Sequence, residues 1–129
     1  MTMNRRTVTA SLAAATLAGL LPATVLAQKK LVLGFAQVGA ESEWRTANTE
    51  SIKSAAKEAG IELKFSDAQQ KQENQIKAIR AFIAQKVDVI AFSPVVESGW
   101  EPVLREAKAA KIPVVLTDRA VNTKDDSLY

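Results

Sequence analysis

Six side chains at the ends of apolar segments have the types needed to grip a small polyhydroxylated ring. Trp44 and Arg45 stand side by side in "GFAQVGAESEWR" (34–45), Gln37 and Glu41 precede them, and Asp118 and Arg119 follow "PVVLT" (113–117). A sugar presents an apolar C–H face and a rim of hydroxyls. An aromatic plate covers the face, carboxylates accept pairs of hydroxyl hydrogens, and arginine forks donate to ring and hydroxyl oxygens. The six residues supply each part. Each also has a plainer reading, Trp44 as a helix-packing tryptophan and Asp118-Arg119 as a surface ion pair or turn cap.

The same glycine-bearing stretch resembles a phosphate loop only superficially. Gly34 and Gly39 are separated by four residues, but Ala40 and Glu41 stand where the loop needs lysine and Ser/Thr, and no G-x-G-x-x-G occurs. An added carboxylate disfavours polyphosphate further. With neither cysteine nor histidine in the 129 residues, thiolate nucleophiles, disulfides, zinc ribbons, haem attachment and histidine triads are excluded. No cofactor and no metal is implied.

The first 27 residues are read apart from the fold. "MTMNRRTVTASLAAATLAGLLPATVLA" has a basic start, an apolar run from Val8 to Leu21, helix-breaking Pro22 and a small-x-small ending at Ala27, the pattern of a cleaved secretory signal. The run is short for a membrane span, which needs about 20 apolar residues. Arg5-Arg6 raises the twin-arginine route, although the flanking Asn4, Thr7 and Val8 fit an ordinary signal better. Without the two arginines the 17 basic and 14 acidic residues become 15 and 14. No basic cluster remains to suggest nucleic acid.

Positioning the six residues requires a particular order of elements. "LVLGFA" (31–36) predicts a buried strand and Ser42–Ala59 a helix with Ile52, Ala55, Ala56 and Ala59 on one face, ended by Gly60 in a left-handed cap. Further along, 61–65 predicts a strand, 70–85 a helix with Ile76, Ile79 and Ile83 in a stripe, 87–92 a strand, 99–110 a helix and 113–117 a strand. Gly99 is the expected N-cap of that last helix, with Pro102 at its third position. Alternation of this kind implies an α/β fold, a parallel sheet with helices on both faces and Rossmann-like topology. Ligands then bind beyond the carboxyl ends of the strands, which is where Gln37, Glu41, Trp44, Arg45, Asp118 and Arg119 fall. Trp100, beside Pro102, reads as packing, Asp67 and Gln69 as caps of the following helix, and Glu43 and Glu50 as solvated helix charges. The acidic "VNTKDDSLY" (121–129) stands where another strand is expected, which suggests a truncated chain.

"GFAQVGAESEWR", "DAQQKQENQIKAIRAFIAQKVDVIAFSPVVESGWEPVLREAK" and "IPVVLTDR" resemble the periplasmic sugar-binding proteins of ABC transporters in the ribose-binding-like group, nearest to members that bind galactofuranose. The resemblance implies that 28–129 is the N-terminal lobe, of periplasmic binding protein type 1 and incomplete, of a two-lobed protein that traps a monosaccharide between its lobes. It implies Trp44 and Arg45 as sugar contacts and Asp118-Arg119 as the pair gripping ring hydroxyls, with Gln37 and Glu41 beside them. It further implies a periplasmic, non-enzymatic protein that delivers its sugar to an inner-membrane ABC permease and is monomeric at full length. A sensor presenting its closed form to a membrane receptor is the alternative. A repressor's effector domain shares the fold, but would carry a helix-turn-helix where this chain has a signal.

Overall fold

β1 (Val32–Gln37), β2 (Glu62–Asp67), β3 (Val89–Phe92) and β4 (Val114–Leu116) form one parallel sheet in the order β2-β1-β3-β4. The computed structural model describes residues 28–129, so the signal assigned to 1–27 lies outside the described residues. α1 (Glu43–Glu58), α2 (Gln72–Ala84) and α3 (Glu101–Ala109) connect the strands. Because crossovers between parallel strands are right-handed, the reversal after β2 places α1 on one face and α2 with α3 on the other. Side chains agree with that division. Gln37 of β1 reaches Asn48 and Thr49 on α1, whereas Gly34 on the same strand faces the Phe82 ring of α2. The winding of the sheet therefore reverses between β1 and β3, and their carboxyl ends flank the crevice.

The two faces carry unequal cores. Ile79, Phe82, Ile90, Phe92, Trp100, Val103 and Leu104 are buried together under α2 and α3. Trp100 packs on Phe92 with ring centroids 4.8 Å apart and donates its indole N–H to the Val96 carbonyl at 2.6 Å, so it is the packing residue its sequence context indicated. Across the sheet, α1 buries little besides Ala56 and Arg45. Ala55 and Ala59, expected in its apolar stripe, are exposed; no second helix flanks α1 among the described residues, and the buried arc shrinks accordingly.

Gly34 lets α2 approach the sheet. A Cβ there would lie 2.5 Å from Cγ of Phe82, so Gly34→Ala should lower stability by about 1–3 kcal/mol. Combining it with Phe82→Leu should recover part of that loss in urea denaturation midpoints.

Three helices end in the same hydrogen-bonded cap. The N–H groups of Gly60 and Ile61 bond Lys57 and Ala56 carbonyls after α1, those of Lys86 and Val87 bond Ile83 and Phe82 after α2, and those of Lys111 and Ile112 bond Lys108 and Ala107 after α3. The motif needs a left-handed residue. Gly60 supplies it at φ 67°, as its sequence position indicated, but lysines take φ 55° and 59° at positions 86 and 111. Since left-handed backbone is strained for a residue with a Cβ, Lys86→Gly and Lys111→Gly should each add about 0.5–1 kcal/mol of stability, read as a raised melting temperature.

Several element boundaries depart from the pattern. α2 begins at Gln72 because Gln69 and Gln70 adopt φ 52° and 60°, with the Gln70 N–H bonded to the Val38 carbonyl at 2.7 Å. Asp67 and Gln69 consequently do not cap the helix. Asp67 Oδ1 accepts the Gln69 N–H at 2.7 Å, and Lys71 holds the N-cap position without a side-chain bond. Gly99 likewise is not the N-cap of α3. It lies at φ 86° and Trp100 occupies the cap, because burial of the indole fixes that residue and its carbonyl accepts the Leu104 N–H at 3.0 Å. β3 starts only at Val89, since Val87 is used in the preceding cap.

Candidate functional site

The site is built at the carboxyl edge where α1 begins. Ser42 caps α1, accepting the Arg45 N–H at 3.2 Å, and this turn brings Arg45 over the ends of β1 and β3. The Arg45 side chain is only 4% exposed. Its Nε donates to Glu41 Oε1 at 3.1 Å and its Nη2 to Asp118 Oδ2 at 2.9 Å, while Nη1 is 3.5 Å from Ser93 Oγ. A guanidinium removed from water to this degree requires paired acceptors. The two carboxylates, from residues 77 positions apart in the chain, supply them.

Asp118 reaches Arg45 through an unusual backbone. Its φ is 66°, and the Arg119 N–H bonds back to the Thr117 carbonyl at 2.7 Å, closing a three-residue turn immediately after β4. A positive-φ turn of this kind is rare and strained, though aspartate tolerates it better than most residues. Arg119 Nε lies 3.7 Å from Asp118 Oδ2, and Nη1 leans on the Pro94 and Val95 carbonyls at 3.5 and 3.3 Å. Two arginines and two carboxylates thus balance in charge.

What the protein leaves unused defines what the site can do. Asp118 Oδ1, Arg119 Nη2 and Glu41 Oε2 have no protein partner among the described residues. Beside them the Trp44 ring is 54% exposed, with the Arg45 guanidinium carbon 4.8 Å from its centroid, an arrangement that orients the plate by cation–π attraction. The edge therefore presents an open aromatic surface next to free acceptors and donors, carried by the start of α1 and by the turns that precede α1 and follow β4.

Five of the six residues selected from sequence converge in this way, and Gln37 does not. It is fully buried; its Nε2 donates to Asn48 Oδ1 at 2.9 Å and Thr49 Oγ1 at 3.1 Å, and its Oε1 accepts the Val38 N–H at 3.0 Å. Gln37 ties β1 to α1 and offers nothing to a ligand at the open edge, because the strand's alternation turns it under the helix. Ser93 is marked in the sequence only as the first polar residue after β3. Its hydroxyl lies 3.3 Å from Asp118 Oδ2. Gln75, buried on α2 beneath Ser93, escapes a reading of strand ends; a glutamine in phase with Ile79 and Phe82 on a buried stripe is the signal that marks it.

The sequence profile of the periplasmic binding protein domain matches residues 33–129. The chain belongs to that family. It is 62% identical over 99 residues to a galactofuranose-binding protein of Escherichia coli, covering 77% of this chain and 31% of that one. Among solved structures, a protein of Mycobacterium smegmatis in complex with β-D-fucofuranose is 72% identical, with a TM-score of 0.76 over 77% of this chain and 33% of the other. The periplasmic binding component of the arabinose ABC transporter of Shewanella sp. ANA-3, bound to α- and β-L-arabinofuranose, is 64% identical, with a TM-score of 0.75 over 76% and 32%. The chain spans about a third of the length of the curated relatives it matches. The Escherichia coli and Shewanella relatives are sugar-binding proteins, the latter the binding component of an ABC transporter.

Proposed function

We propose that this chain is the N-terminal, sugar-gripping part of an exported solute-binding protein that captures a monosaccharide in its furanose form and hands it, chemically unchanged, to an inner-membrane ABC permease. The observation that carries the reading is Asp118. One of its oxygens, Oδ2, takes Arg45, Ser93 and Arg119, and the other, Oδ1, has no protein partner among the described residues. A carboxylate clamped on one side accepts hydroxyl hydrogens on the other without first having to be ordered, which lowers the entropic cost of binding.

The furanoses bound by the relatives support the choice of a five-membered ring. The remaining sugar contacts come from a second lobe that closes over the ligand. The test is calorimetric titration of the two-lobed protein with arabinose, galactose and fucose preparations rich in furanose forms, alongside glucose as a pyranose reference. Heat with the former and none with the latter is expected; silence across the panel overturns the proposal. Uptake assays in a strain lacking the gene separate transport from sensing, since a sensor's loss leaves sugar entry intact.

A further inference from the structure

Gln75 lies outside the sugar site, yet it holds the backbone on which that site is assembled. It is fully buried on α2. Its Nε2 donates to the Ser93 carbonyl at 2.6 Å and the Ala36 carbonyl at 3.1 Å, and its Oε1 accepts the Val95 N–H at 2.9 Å. One side chain therefore links the end of β1 to both sides of the turn Ser93-Pro94-Val95 leaving β3. That turn is also where the site rests: Ser93 Oγ reaches Asp118 and Arg45, and the carbonyls of Pro94 and Val95 support Arg119.

The geometry points to Gln75 as a positioning residue that sets the sugar site through the 93–95 turn, which it grips from the opposite face of the sheet. Building on the sugar-binding reading above, the physical reason is the shortage of other constraints. Pro94 has no N–H, the turn follows the last ladder residue Phe92, and the Ser93 carbonyl and Val95 N–H both end on Gln75. A glutamine satisfies two acceptors and one donor at once. Neither an apolar residue nor a carboxylate of the same length can do so, and a buried backbone group left unpaired moves toward water rather than remain there.

The test uses Gln75→Glu in the two-lobed protein, compared with the parent at equal folded fraction. An ionised carboxylate introduced there would face two carbonyls, and burial and repulsion would push its pKa up; once protonated it can donate to one of them again. Relative to the parent, the variant's Kd for the furanose should rise on the order of tenfold at about pH 8 and recover as the pH falls to about pH 5. A parent-like Kd at both pH values, or a loss that shows only in melting temperature, overturns the inference.

Gln75→Met serves if the glutamate variant does not fold. Its effect on Kd should be strongly non-additive with Arg119→Ala, because both act through the same turn. Additive effects overturn it. A parent that binds none of the sugars would instead sink the sugar-binding proposal, so the two failures are distinguishable.

Discussion

Asp118→Ala in the two-lobed protein should weaken furanose binding by about 3 kcal/mol, on the order of a hundredfold in Kd. Two losses combine. The free Oδ1 no longer accepts ligand hydroxyls, and Arg45, 4% exposed, loses the 2.9 Å bond from its Nη2. The guanidinium keeps Glu41 at 3.1 Å, so it reorients toward that partner and no longer braces the site. Asp118→Asn should fall between, retaining an oxygen acceptor without the charge. Asp118→Gly is the informative contrast. It relieves the strain of φ 66°, so its melting temperature should equal or exceed that of the alanine variant while binding is lost as fully. Isothermal titration and thermal melts on the same preparations test this, and retained affinity in Asp118→Ala removes the residue from the site.

Trp100→Ala should cost about 3–5 kcal/mol of stability, a large share of the roughly 5–15 kcal/mol that typical domains possess. The indole is 2% exposed, contacts Phe92, and leaves the Val96 carbonyl without its 2.6 Å donor when removed. Trp100→Phe should recover the packing but not the hydrogen bond and stand about 1 kcal/mol below the parent or somewhat lower. Trp44→Ala should behave in the opposite way. With the ring 54% exposed, its removal should shift stability by less than about 0.5 kcal/mol while reducing sugar affinity clearly. Denaturation curves paired with titrations separate the two tryptophans. Equal melting losses would contradict the burial on which the distinction stands.

The order of elements was legible in the sequence because local chemistry dictates it. Gly60 ends α1 as its lack of a Cβ permits, the apolar runs become strands within two residues of their expected starts, and Trp100 is buried where Pro102 opens α3. Placement of Trp44-Arg45 and Asp118-Arg119 at strand ends on one edge followed from the predicted order of elements, although their contacts did not. Residue type and spacing determine these features before any long-range contact forms.

Orientation and partnership were decided only by the tertiary structure. Gln37 and Glu41 look alike in sequence, both polar and both close to the end of β1. Strand alternation buries the first under α1, whereas Glu41 lies beyond the strand and reaches Arg45. Lysines at 86 and 111 take the conformation expected of glycine because cap hydrogen bonds to the preceding helices and burial of the next residues, Val87 and Ile112, hold the backbone there. The phase of Gln75 with Ile79 and Phe82 marks it as buried but does not name Ser93 and Val95 as its partners, and the Arg45–Asp118 bond spans 73 positions. Local propensity is encoded within a few neighbouring residues; a hydrogen bond across the sheet depends on the summed geometry of every element between its ends.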